Sequence, residues 1–370
     1  MQKARIIERF SILPKQKNGY HAFPTLTKVN DRILLTCRSG YSDSNEPHGR
    51  GGRVRLLSAL VSSPEQWTDH GVLFGNPEGE NYELDALISG PFASGDDNAG
   101  FDFNELILIT REYRIKAFNK NYISYLSIDD VESLTRASLN ESVVETQGVV
   151  PRRLLTECGI NPSACFGHIQ SAEDGALLLS GYGETTGNGI VSPLLWHSYD
   201  FGRSWQLRAI VANSADCDKK LNEFSLTSCG NKKWLALIRD NVEPHVICRA
   251  FSEDDGFSWS PAVETDLCGH APLLYRLNEK QHLVLLRDLT ENQPSVSIYG
   301  SDNQGKRWQA IAELNVYAGG LYNGGYGDIV ALPNDKFLAT YYVSDADASP
   351  WIEGVIFTLP SGADRNVTLR

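Results

Sequence analysis

A single methionine stands among the 370 residues, and nowhere does the chain stay apolar for the roughly 20 residues that a membrane-crossing helix takes. The start, Met1-Gln2-Lys3-Ala4-Arg5, carries no apolar signal segment. Cysteine is scarce and irregular: Cys37, Cys158, Cys165, Cys217, Cys229, Cys248 and Cys268 make an odd number with no C-x-x-C clip, which excludes a regular disulfide framework and a thiolate zinc knuckle. A cytoplasmic, reducing location is the expectation, and the N-x-S/T triplets at Asn140 and Asn366 are then coincidental. Positive charge is also in deficit. Lys and Arg number 34 against 46 Asp and Glu, a net charge of -12, whereas nucleic-acid binding draws on clustered basic surface. No phosphate loop, dinucleotide fingerprint or metal-ligand cluster occurs, so no cofactor is expected.

What the chain has instead is repetition. Ser198-Tyr199-Asp200-Phe201-Gly202-Arg203-Ser204-Trp205 and Ser252-Glu253-Asp254-Asp255-Gly256-Phe257-Ser258-Trp259 are two copies of S-x-D-x-G-x-x-W, and Ser301 to Trp308 departs only in Asn303 for Asp. Ser127 to Leu134 is a fourth, eroded copy. The tryptophans Trp205, Trp259 and Trp308 lie 54 and 49 residues apart, a period of stacked or radial β units. Ser and Asp bond to nearby backbone, Gly supplies positive φ, and Trp fills the gap between neighbouring sheets. The motif is a turn staple that by itself catalyses nothing.

A second pattern, strand, Gly- or acid-bearing turn, apolar strand, recurs six times, with second strands ending at Arg38, Arg111, Tyr182, Arg239, Arg287 and Tyr342. Short alternating runs bounded by Gly, Asn, Asp and Pro are antiparallel strands, and no helical period is sustained. The expected fold is all-β, a six-bladed β-propeller filling residues 1–370 as one domain. Its ring closes by pairing Ala4–Phe10 with the strand near Glu353–Phe357, and Trp205, Trp259 and Trp308 are buried between blades.

Asp-box staples on a propeller, with Phe23-Pro24-Thr25-Leu26 in the first blade, Asn222-Glu223 in the fourth and a segment led by Tyr326 in the sixth, resemble the sialidase superfamily. The staples also occur in other propellers, so the site residues carry the weight. The resemblance implies a retaining exo-glycosidase that releases a terminal 2-keto-3-deoxy sugar acid such as sialic acid, Kdn or Kdo. Such a substrate bears a carboxylate on the attacked carbon, which repels an anionic nucleophile, and sialidases use a tyrosine activated by a glutamate.

By the same resemblance Tyr326 is the nucleophile, Glu223 its base, within hydrogen-bond reach of it, and Asp43, five residues beyond Arg38, the acid/base. His48 is the fallback acid. Arg239 matches an arginine of the family's carboxylate clamp. Arg38, Arg239 and Arg287 occupy one repeat position and are expected to converge on a single anion. Arg111 shares that position in the second blade. The sequence departs from the family at Ala22, where an arginine is usual, with His21 beside it. Arg287 also comes earlier than the family's third arginine. The alternative is a non-catalytic propeller that binds acidic glycan.

Overall fold

A computed structural model describes residues 1–43, 46–75, 82–92, 105–114, 118–136, 151–185, 189–216 and 218–360. Asn140, Asn366 and Cys217 lie outside them. The six described cysteines are thiols outside any disulfide, and no helix among the described residues is long and apolar enough to cross a membrane.

The fold is all-β. Strand β1 is Arg5–Leu13. A first antiparallel meander follows: β2 (Gly19–Val29), β3 (Arg32–Asp43), β4 (Glu46–Leu60) and β5 (Ser63–Phe74). The second comprises β6 (Tyr82–Ser89), β7 (Glu105–Arg114), β8 (Phe118–Ser127) and β9 (Arg153–Leu154). In the third, β10 (Ala164–Cys165) and β11 (Gln170–Ser171) both pair with β12 (Leu177–Glu184), followed by β13 (Val191–Ser198) and β14 (Gln206–Ile210).

The next sheet has seven strands: β15 (Leu221–Gly230), β16 (Lys233–Asp240), β17 (Val246–Ser252), β18 (Val263–Arg276), β19 (His282–Asp288), β20 (Ser295–Ser301) and β21 (Gln309–Val316). Here the expected separate four-stranded sheets are fused. The first half of β18 pairs with β17 up to Cys268, and its second half pairs with β19 from Gly269 onward. One long strand thus closes the fourth meander and opens the fifth. A Cβ on Gly269 would stand 2.0 Å from the Arg287 carbonyl, so only glycine fits where the strand changes partners. The sixth meander is β22 (Gly327–Leu332), β23 (Lys336–Val343) and β24 (Trp351–Thr358), and β1 completes it on β24 as the closure pairing anticipated.

These residues form two compact units. The first holds Glu8–Glu157 and Ala318–Ile356; the second holds Met1–Ile7, Cys158–Tyr317 and Phe357–Arg370. In the first unit, Leu26, Ile33, Leu35, Leu338 and Tyr342 share one core and Leu34, Leu56, Leu106 and Leu108 another. In the second, Phe224, Trp234 and Ile238 pack together, as do Leu235, Leu237, Val284 and Leu286. Strand β19 is buried along its whole length, which its unbroken Leu283-Val284-Leu285-Leu286 run requires. First strands of adjacent meanders also bond directly: Thr25 Oγ1 donates to the Ala86 carbonyl at 3.0 Å, and Ser225 Oγ donates to the Pro272 carbonyl at 2.5 Å. The Asn231-Lys232 and Asn334-Asp335 turns have positive φ at both central residues, the hairpin geometry whose twist matches the strands.

The staples are built as their residues imply. Ser198 Oγ donates to Asp200 Oδ1 at 2.7 Å and accepts from the Gly202 amide at 2.7 Å, while Asp200 also takes the Ser204 amide and hydroxyl. The second copy repeats this through Ser252, Asp254, Gly256 and Ser258. In the third, Asn303 Oδ1 accepts from Ser301 Oγ and the Arg307 amide. Arg307 stands where the other copies have serine, so no second carboxylate oxygen is needed. Trp205 and Trp308 are buried, but Trp259 is only partly so, a correction to the expectation for all three. The eroded copy has become a helix start. Ser127 Oγ accepts from the Asp130 amide at 3.0 Å and the Ser127 amide donates to Asp130 Oδ2 at 3.2 Å, a capping box for helix α1, Ile128–Arg136.

Candidate active site

One repeat position recurs with a common construction. Arg38 lies opposite Ala22, Arg111 opposite Asp85 and Arg287 opposite His270. Arg239 falls in the register shift between the Leu221–Asp240 and Phe224–Ile238 pairs, facing Asn222 and Glu223. Parallel shifts follow Ala22 and His270. There Phe23 and Ala271, each preceding a proline, adopt φ of 55° and 52°. Left-handed backbone at a non-glycine residue is costly and persists where the surroundings impose it.

In the first unit this position carries an aromatic group. The Phe23 ring meets Tyr326 edge-on at 4.9 Å between centroids, Tyr342 at 5.1 Å and His48 at 5.7 Å. The Arg38 guanidinium lies 4.4 Å from the Phe23 ring centre and donates to the His48 carbonyl at 3.2 Å. Tyr326 directly precedes β22, and its carbonyl accepts from the Tyr342 amide. Tyr326, Arg38 and His48 are therefore gathered around one ring. Asp43, at the end of β3, forms an ion pair with Arg50. His21 is placed differently: it is buried, 3.0 Å from Ser39 Oγ, on the face of β2 opposite to that of Ala22 and Arg38. Burial first, then the Arg55 charge, push its imidazole down to about 4. Arg111 lies over the Tyr113 ring at 5.3 Å.

The second unit supplies a charged group. Glu223 Oε2 accepts from Arg239 Nη1 at 2.7 Å, both side chains being largely buried. Arg287, only 1% exposed, is 3.2 Å through Nη1 from His270 Nδ1. Burial pushes His270 down to about 2, reinforced by Arg239, Arg287 and His245. Arg287 thus contacts a neutral imidazole, and the charge of Arg239 also favours its neutral form. The His245 and His270 rings meet edge to face at 4.5 Å. Burial raises the Tyr317 hydroxyl above its ordinary value, and the Arg287 charge opposes that rise. No metal-binding cluster of His, Cys, Asp and Glu occurs among the described residues.

His270, His245, Phe23 and Arg50 were not anticipated as site residues. The sequence does carry a signal for His270: it stands two residues before Pro272, as Ala22 stands before Pro24. Arg50 and His245 have no comparable mark.

Residues 149–332 match the BNR repeat-like domain. No curated protein matches the chain in sequence. Among solved structures, the chain is similar to a Dyadobacter fermentans protein of unknown function, with TM-score 0.70, 16% identity and coverage of 97% and 100% of the two chains. It is similar to the Trypanosoma rangeli sialidase in complex with 2,3-difluorosialic acid, a covalent intermediate, with TM-score 0.62 and 12% identity over 94% of this chain and 58% of that one. A Fusarium graminearum GH93 α-L-arabinofuranosidase gives TM-score 0.62 at 10% identity, covering 95% and 97%. The Hadza microbial sialidase Hz136 has TM-score 0.64, and the chain spans 66% of its length. The chain shares its fold with sialidases and with a glycoside hydrolase of another specificity.

Proposed function

We propose that the protein is a retaining exo-glycosidase releasing a terminal 2-keto-3-deoxy sugar acid, its six meanders forming one six-bladed propeller. The observation that carries this is the contact of buried Arg287 with a buried, neutral His270, whose neutral form the Arg239 charge also favours. Positive charges so placed favour an anion. A sugar-acid carboxylate suits that need, and bidentate arginine contacts suit its shape. Tyr326, at the head of β22 among Phe23, His48 and Tyr342, is the nucleophile.

In this scheme Tyr326 Oη attacks the anomeric carbon while Glu223 takes its proton and Asp43 protonates the departing oxygen. Water then attacks the glycosyl-tyrosine bond, Asp43 takes a proton from that water, and Glu223 returns its own to Tyr326. Asp43 must leave Arg50 to act so. That ion pair, with Ala22 in place of an arginine, favours a second reading, a non-catalytic propeller that binds acidic glycan. Fluorogenic glycosides of sialic acid, Kdn and Kdo separate the two. Release from one of them supports hydrolysis and names the glycone. Binding of a sugar acid with no release from any supports the second reading.

A further inference from the structure

The imidazole of His270 has one side committed and one side open. Arg287 Nη1 is 3.2 Å from His270 Nδ1. A guanidinium only donates hydrogen bonds, so Nδ1 accepts, and the single proton of the neutral ring sits on Nε2. Protonating Nδ1 would set two donors against each other, and Arg239 and His245 add to that opposition. The tautomer is thereby fixed. Nε2 is buried and has no hydrogen-bond partner among the described residues, although buried polar groups are nearly always satisfied. The residue is 1% exposed, and the half-buried His245 ring packs against it at 4.5 Å.

We propose that His270 is a ligand-binding residue whose Nε2–H, aimed by Arg287, donates to an oxygen of the anionic group that Arg239 and Arg287 attract. This rests on the sugar-acid reading and sharpens it: the second unit selects a carboxylate, which has lone pairs enough to accept from an imidazole as well as from guanidinium groups. His270 acts as a neutral donor rather than as an acid. Its place at the repeat position of Ala22 gives the fifth meander a donor where the first has a methyl group. His245 is the side chain that yields as a ligand oxygen arrives.

Calorimetric titration of the full-length protein with free N-acetylneuraminic acid, Kdn and Kdo, and with their methyl esters, tests this in wild type, His270→Phe and His270→Gln. Wild type should prefer the acid to its ester. His270→Phe should weaken binding of the acid about 10- to 100-fold, as expected for loss of a hydrogen bond to a charged group. His270→Gln, which offers an acceptor to Arg287 and a donor to the ligand, should recover most of that loss. If wild type binds a sugar acid and His270→Phe binds it equally well, the inference falls while the sugar-acid reading stands. If wild type binds none of the acids, both fall. Nitrogen-15 NMR of the imidazole gives a check without ligand: a protonated Nδ1, or titration between pH 5 and 8, overturns the inference even if binding is seen.

Discussion

Replacing Trp205 by alanine tests whether the staples hold the sheets together as their geometry implies. The ring is 2% exposed, and the residue's amide donates to the Cys158 carbonyl at 2.7 Å. Truncating a fully buried tryptophan costs about 3–5 kcal/mol, through lost transfer energy and the cavity left behind. Trp259 occupies the same motif position but is only partly buried, and its Nε1 donates locally to the Gly256 carbonyl at 3.1 Å. Its removal should cost about 1–2 kcal/mol, in proportion to the smaller area lost. Both residues lie in the second unit, so the same urea transition, followed by far-ultraviolet circular dichroism, reports both. A loss of 3–5 kcal/mol consumes much of a typical domain's stability, and Trp205→Phe supplies a milder comparison. If Trp259→Ala proves as damaging as Trp205→Ala, burial does not set the strength of the staple and the reasoning fails.

Two further outcomes follow from charge. Burial tends to raise the Asp200 carboxyl, but hydrogen bonds from Ser204 and Ser198 outweigh it and leave the group below 3.8. Because the folded value is depressed, its stabilisation is present above about 3.8 and lost as pH falls through the folded value. Asp200→Asn should therefore destabilise the protein at neutral pH, with the gap to wild type narrowing below about pH 4 in thermal melts; a gap that widens in acid contradicts this. Arg239→Met should weaken sugar-acid binding about 10- to 100-fold by calorimetry, with some loss of kcat because the carboxylate adjoins the reacting carbon. Unchanged affinity would remove Arg239 from the clamp.

The strands and staples were legible because they are written locally. Asn231-Lys232, Leu283 to Leu286 and Ser198 to Trp205 each carry their structure in a few adjacent residues. The fusion of two meanders through β18 was not legible, since Cys268 and Gly269 mark no break in pattern and the partner change depends on β17 and β19. The helix at Ser127 was hidden because one Ser–Asp pair can serve a turn or a cap, and spacing decides: Asp200 stands two positions after Ser198, whereas Asp130 stands three after Ser127. At the site, the repeat position of Arg38, Arg239 and Arg287 could be read from the strand ends. The contact of Arg287 with His270 needed the bulge after His270, and the Asp43–Arg50 pair depends on a hairpin whose register sequence does not fix.

The most direct test of the central claim is incubation with a 3-fluoro sugar-acid donor bearing a good leaving group, followed by intact-mass analysis and peptide mapping. Fluorine destabilises the oxocarbenium-like state that deglycosylation requires, so the glycosyl-enzyme intermediate accumulates. The account predicts one glycosyl adduct on Tyr326, absent in Tyr326→Phe, which should lose turnover while keeping substrate affinity. An adduct on another residue, or turnover that persists in Tyr326→Phe, would contradict it.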